Sequence, residues 1–297
     1  MNGVINLFKP KGLTSHDVVN IMRRITGIKK IGHIGTLDPN AAGVLPLCIG
    51  KATRISEYLI DMDKEYIGEL TLGLATDTLD VDGKVINHSS KTVNEEDIYY
   101  IFDKFRGKIL QEPPMYSALK HQGKKLYELA REGKFIKRAY REIYIYDIKI
   151  LKNINNRKII FYTKCSRGTY IRTLCDDIGK ALGTYGYMSY LMRIGVGDFK
   201  ISDSYSIDYI KSLDKSSIGT LILPMDKVLN HMDKLTVDDK YFNKLKNGVQ
   251  IPLPINLINS YERDTLLRIY SNNIFIGIGR TIEKNNVLYI KMDKVLI

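Results

Sequence analysis

Residues 64–73, KEYIGELTLG, alternate apolar and polar side chains, and AYREIYIYDIKILK with RKIIFYTKCS supply two longer strand-like runs joined near Asn153 to Asn156. Successive side chains of a strand point to opposite faces, so such alternation calls for a sheet with one face packed. Two runs this close in the chain pair most simply as antiparallel neighbours. Around them lie helical patterns in TSHDVVNIMRRITG, ATRISEYLI, VNEEDIYYIFDKF, GKKLYELAREG and GTYIRTLCDDIGKALG, and YGYMSYLMRIGVGDF reads as a further strand. Strands and helices mix without a regular βαβ repeat, which predicts an α+β fold: a mixed, largely antiparallel sheet with flanking helices. In the first helix Thr14 or Ser15 caps the start, Asp17 adds a favourable charge, and Val18, Ile21, Met22 and Ile25 form a core face before Gly27 ends it.

The pattern breaks in SLDKSSIGTLILPMDKVLNHMDK, which places a domain boundary near residue 231. Residues 1–230 are then the main domain. Residues 231–297 hold a helix in VDDKYFNKLKNG and strands in TLLRIYS, NIFIGIGRTI and NVLYIKMDKVLI, enough for a small β-barrel-like module that leans on the first domain.

Several function classes drop out. The closely spaced glycines of IGVGDF and GIGIGR complete neither a dinucleotide fingerprint nor a P-loop. Cys48, Cys165 and Cys175 are an odd number, far apart in the chain and without a C-x-x-C pair, which supports neither a zinc site nor a disulfide framework, and the five histidines are scattered, so no metal is expected. No apolar run reaches the ~18 residues of a membrane span and the first residues lack a signal-peptide core, so no membrane association and a cytoplasmic address are expected. The net charge of +12 favours a polyanionic partner. Residues 104–141 hold eleven basic and three acidic side chains with Tyr116, Tyr127 and Tyr140 among them. Cations meet phosphates and aromatic rings offer stacking surfaces, so this stretch reads as a nucleic-acid surface, with a plain solvated basic face as the alternative.

One acid stands in an almost uncharged, glycine-studded stretch, Asp38 in GHIGTLDPNAAGVLP. An Asp before proline forms Asx turns or caps, and that is one reading. The other is a reagent: a residue preceding proline is biased toward extended backbone, and Gly35, Ala41, Ala42 and Gly43 allow a ligand backbone to approach. His33 lies just upstream, after Lys29 and Lys30.

KPKGLTSHDVV, GHIGTLDPNAAGVLPLCIGKAT, DKEYIGELTLGLATDTLDVDGKV and CSRGTYIRTLCDDIG, in this order over residues 3–200, resemble the TruB family of bacterial tRNA pseudouridine-55 synthases. EPPMYSALKHQGKKLYELAREGK resembles that family's RNA-binding insertion, and the tail from about residue 232 resembles a PUA domain. Two positions depart from the family pattern, Arg54 for a common Lys and Met192 for a frequent second Arg.

The resemblance implies a pseudouridine synthase fold with a PUA-like RNA-binding domain, and isomerisation of a uridine in the tRNA T-loop by a monomer without cofactor or metal. It implies Asp38 as the catalytic carboxylate, paired with Arg172, and Tyr66 as the ring that stacks on a flipped base. It also implies Tyr170 and Leu191 as pocket walls and His33 as an aid to base eversion. As a residue two before Arg172, Tyr170 is expected at the start of its helix, where the chain is still turning. Lys9 is either a phosphate contact or a solvated lysine. An RNA-binding or tRNA-folding protein without catalysis is the alternative; it has no need of the set Asp38, Tyr66, Tyr170 and Arg172.

Overall fold

The computed structural model describes residues 1–254, 257, 260–285 and 287–297. It begins with β1 (Gly3–Lys9), α1 (Ser15–Thr26), β2 (Ile31–His33) and β3 (Ala42–Ile49). A short helix α2 (Ser56–Leu59), strand β4 (Lys64–Leu72) and a ribbon of β5 (Leu74–Thr76) and β6 (Val85–His88) follow, then α3 (Glu95–Lys104) and β7 (Gly107–Gln111). The basic stretch continues through a ribbon of β8 (Lys120–His121) and β9 (Lys124–Lys125) and helix α4 (Leu126–Arg131). Then come β10 (Arg141–Ile154), β11 (Lys158–Cys165), α5 (Ile171–Ala181), β12 (Gly186–Val196), β13 (Phe199–Lys200) and β14 (Tyr205–Ser206). Three short helices, α6 (Ile207–Ser212), α7 (Lys215–Thr220) and α8 (Met225–Val228), lead out of the first domain.

Ten of these strands form one sheet, ordered β14-β1-β3-β12-β4-β11-β10-β7, with β2 on β3 and β13 on β12. The pairs β1–β14 and β3–β12 are parallel and the others antiparallel, which is the mixed, largely antiparallel arrangement of an α+β domain. The alternation in β4 becomes strict alternation of burial, with Tyr66, Leu70 and Leu72 on the packed face. α1 ends as its residues dictate. Thr14 and Asp17 close a reciprocal capping box, and Gly27 takes the left-handed conformation at φ 73°.

Strand β3 is the element that the turn-rich sequence around it conceals. It is buried on both faces and so carries no alternation. Pro46 sits inside it, which a central strand ordinarily forbids. A residue's N–H and C=O point to the same edge, and Pro46 turns its carbonyl to the Ile34 amide at 2.9 Å, just past the end of β2. The missing donor therefore falls in the gap between the β2 and β12 pairings, where no ladder bond is lost.

The main core lies between the helix-bearing face and α1, α3, α5 and α6, and includes Val18, Met22, Leu70, Phe161, Leu174 and Ile210. The opposite face of β1 and β3 shares a second core with the C-terminal domain, joining Val4, Val44 and Ile55 to Ile278 and Leu296. That domain comprises β15 (Asp233–Thr236), α9 (Phe242–Lys246), β16 (Ile251–Pro252), β17 (Leu266–Ser271), β18 (Ile274–Lys284) and β19 (Val287–Val295), with sheet order β15-β17-β18-β19-β16. Its last strand is tied to the first domain by the Tyr58 hydroxyl on Asp293 at 2.9 Å, Lys294 on Glu57 at 2.9 Å, and Arg54 on the Val295 carbonyl.

The first residues of the basic 104–141 stretch are the end of α3 and strand β7 of the main sheet. The excursion proper is pinned at its base by Arg138 and Glu112 at 3.4 Å and has its own small core of Met115, Leu126, Leu129 and Ala130.

Candidate active site

The chain from Ile34 to Ala41 links β2 to β3 and is held residue by residue. The Ser15 hydroxyl, at the start of α1, donates to the Leu37 carbonyl at 3.0 Å and accepts from the Leu37 amide at 2.9 Å. Past Asp38, the Pro39 carbonyl takes the Gly12 amide at 2.8 Å and the Lys9 ammonium at 3.2 Å, and the Ala41 amide closes a turn on the Asp38 carbonyl at 3.1 Å. With Leu37 and Pro39 fixed, Asp38 projects from a rigid turn. Its side chain keeps 38% exposure, so the carboxylate is open to solvent on one side rather than enclosed.

Arg172 comes from the first turn of α5 and meets Asp38 there, Nε to Oδ2 at 3.0 Å. The guanidinium is 7% exposed and fully engaged: it donates to the Tyr116 carbonyl at 2.9 Å and the Thr78 carbonyl at 3.3 Å, and pairs with Asp80 at 3.4 Å. One arginine thus bridges two carboxylates, the half-open Asp38 and the buried Asp80. Burial raises the Asp80 carboxyl above the usual range, opposed by the Thr78 hydroxyl at 2.5 Å and by Arg172. Asp80 went unnoticed in the sequence although TDTLDVDG is dense in acids, because an acidic turn of this kind is ordinarily solvated.

Tyr170 stands at the N-cap of α5, at the start of the helix as expected for a residue meant to share a pocket with Arg172 two positions on. Its amide and carbonyl are both held by the Gln111 side chain, at 2.8 and 3.1 Å, so β7 sets where α5 begins. Burial raises the Tyr170 phenol. Tyr66 of β4 is 8% exposed, and burial pushes its phenol up to about 12, so it is neutral at ordinary pH. Leu191 of β12 is 6% exposed and pairs opposite Gly68, two residues along from Tyr66, so the two side chains share the helix-bearing face.

His33 ends β2, half-buried, with Nδ1 enclosed and without a hydrogen-bond partner among the described residues. Burial, helped by the Arg193 and His16 charges, lowers its pKa and favours the neutral ring. Lys9 departs from both readings of its sequence. It is neither a phosphate contact nor a solvated lysine, being fully buried with its ammonium on the carbonyls of Pro10, Leu13 and Pro39 at 2.9, 2.7 and 3.2 Å. Burial lowers its pKa to about 8 despite the opposing charge of Asp38. Arg193, beside the Met192 departure, was not singled out from the sequence and is also buried in this region.

Among the described residues no group of three or more His, Cys, Asp or Glu side chains is placed to hold a metal ion, and no helix is long and apolar enough to cross a membrane. The arrangement offers a carboxylate with a buried cation behind it, beside a face bearing a neutral phenol and an aliphatic wall. Such a set suits nucleophilic or proton-transfer chemistry on a flat, uncharged ring.

Two family profiles cover most of the chain. One described as TruB family pseudouridylate synthase (N terminal domain) matches residues 23–171, and one described as tRNA pseudouridylate synthase B C-terminal domain matches residues 172–230. The chain is 44% identical over 304 residues to tRNA pseudouridine synthase B of Alkaliphilus oremlandii, covering 100% of this chain and 99% of that protein. It is 41% identical to that of Clostridioides difficile, with 100% of both covered. Among solved structures, a Cbf5-Nop10-Gar1 complex matches with TM-score 0.74 at 29% identity, over 99% of this chain and 85% of that one. An H/ACA RNP bound to a substrate RNA containing 2'-deoxyuridine matches with TM-score 0.73 at 27% identity, with the same coverage of 99% and 85%.

Proposed function

The chain belongs to the TruB family of pseudouridylate synthases, and from that we infer that it isomerises uridine to pseudouridine in tRNA with Asp38 as its catalytic carboxylate. The reaction breaks the N1–C1′ bond and forms C5–C1′ with no net redox change. An ionised Asp38 serves it in one of three ways: attack at C1′, attack on the uracil ring, or removal of a sugar proton. The observation that carries this reading is the Asp38–Arg172 pair at 3.0 Å, with the Asp38 carboxylate half-open to solvent and Asp80 held behind the arginine.

A uracil in a folded loop must leave its stack to reach Asp38, at a cost of a few kcal/mol. Tyr66 and Leu191 share a face on which it lodges, and a stacked ring recovers about 1–3 kcal/mol. Tyr170 lines the same pocket, and His33 acts on the RNA loop near the everted base.

The substrate element is the T-loop, taken as a T-stem-loop by a monomer in the cytoplasm. The basic excursion after β7 grips it, with Lys125 and Arg131 over the Tyr127 ring and Phe135 exposed. The C-terminal sheet is a PUA-like second contact, where Lys240 and Lys244 flank the Tyr241 ring.

The test is to incubate wild type and Asp38→Asn with an unmodified tRNA transcript, map pseudouridine by mass spectrometry, and measure binding. Product at the T-loop uridine from wild type alone, with similar binding by both proteins, is expected. Binding without product by wild type leaves an RNA-binding protein, and an active Asn variant returns Asp38 to a turn former.

A further inference from the structure

Arg193 is 1% exposed, its guanidinium donates to three backbone carbonyls, and it also lies against the Tyr66 hydroxyl. Nε donates to Val44 at 2.8 Å, Nη1 to Thr36 at 3.2 Å and Nη2 to Gly35 at 3.2 Å. Those three carbonyls belong to the two ends of one loop, the entry before Asp38 and the first residues of β3 after it. Burying a guanidinium without a carboxylate is costly, and a residue serving only to fill the core has cheaper alternatives. The backbone contact is as tight. Arg193 pairs with Gly43 in the parallel β3–β12 register, and Gly43 has φ 118°, with the place a Cβ would take only 2.1 Å from the Arg193 carbonyl. On β4 the residue paired opposite Arg193 is Tyr66, so the two side chains are neighbours on one face, and the same arginine touches both the pocket tyrosine and the loop.

We propose that Arg193 is a positioning residue for Asp38: its guanidinium gathers the two ends of the 35–44 loop and holds the carboxylate where Arg172 and the substrate meet it. This rests on Asp38 being the reacting carboxylate. Planarity and number of donors matter here, since three carbonyls are met by three separate nitrogens, which an ammonium cannot span. Displacing a reacting group by ~1 Å costs about 100-fold in rate.

The test uses full-length Arg193→Lys and Arg193→Gln with unmodified tRNA under single-turnover conditions, alongside tRNA affinity and thermal unfolding. Arg193→Gln is expected to lose about 100-fold in single-turnover rate, and Arg193→Lys about 10-fold because it retains the charge and one or two carbonyl bonds, with affinity within about 3-fold of wild type for both. The graded recovery by lysine at unchanged affinity is the signature of positioning. Wild-type rates in both variants overturn the proposal. So does a rate loss in the folded variants matched by an equal loss of affinity, which marks a general structural role. Should Arg193→Gln not fold, the lysine variant alone decides by the same two readings. Asp38→Asn is run in parallel: if it remains active the premise fails, whereas an inactive Asn variant with unaffected Arg193 variants overturns only the positioning role.

Discussion

Replacing Arg172 by methionine separates what the arginine does for folding from what it does for chemistry. The change leaves Asp80, 11% exposed, without its cation, and removes the donors to the Tyr116 and Thr78 carbonyls. Breaking a buried pair from one side costs about 3–5 kcal/mol. The Asp38 end faces solvent and adds at most ~1 kcal/mol. The expected destabilisation at pH 8 is therefore about 3 kcal/mol, and it is relieved as Asp80 takes a proton at lower pH.

That relief has a definite sign. The folded pKa of Asp80 is already raised above its unfolded value, chiefly by burial, so the folded state binds the proton more tightly and gains stability as pH falls through the folded pKa. Loss of Arg172 raises that pKa further. Urea unfolding at pH 8 and pH 5.5 should accordingly show the gap between wild type and variant narrowing in acid. Adding Asp80→Asn removes the stranded charge while keeping an oxygen for the Thr78 hydroxyl and the Asp82 amide, and should return most of the lost stability. Neither the single nor the double variant should make pseudouridine at more than about 1% of the wild-type rate, since Asp38 has lost its partner. A gap under about 1 kcal/mol at pH 8, or one that Asp80→Asn leaves unchanged, refutes the bridging role.

Two further outcomes follow from the same geometry. The Tyr66 phenol is held up at about 12 by burial, so Tyr66 should contribute no step to the pH–rate profile between pH 6 and 9; Tyr66→Phe should retain more single-turnover activity than Tyr66→Leu, and equal loss in both removes stacking as its role. Asp177 is pushed up to about 6, first by burial and then by the neighbouring Asp176 charge. Its ionised form therefore weakens the fold at neutral pH, stability should rise as pH falls from 7 toward 4, and Asp177→Asn should be the more stable protein at pH 7.5 with the difference vanishing in acid, as read by thermal melts.

Much of the local architecture was legible because its causes are local. The cap at Thr14 and Asp17, the stop at Gly27 and the strict alternation of β4 each involve residues within a few positions of one another, and each appears where its pattern placed it. Tyr170 at the start of α5 follows from the family resemblance, which puts it in one pocket with Arg172, together with the two-residue spacing that a helix face does not allow. Strand β3 was not legible, because alternation reports a difference between two faces and β3 has none. The extent of the basic excursion was blurred for a related reason: Lys108 of β7 points outward from a sheet strand and reads like the charges of the loop that follows.

Asp38, Arg172, Tyr66 and Leu191 could be named from the chain as residue types in order, and their motifs sufficed to indicate a family and a reaction. What holds Asp38 in place was decided by contacts across the fold: Lys9 on Pro39, Arg193 on Gly35, Thr36 and Val44, and Asp80 on Arg172. Lysine, arginine and aspartate are ordinarily solvated, so a sequence assigns them to the surface by default. Only the tertiary structure brings them under the sheet, where backbone carbonyls of residues 30 and 157 positions away, or an arginine from another element, supply the dipoles and charges that make their burial tolerable.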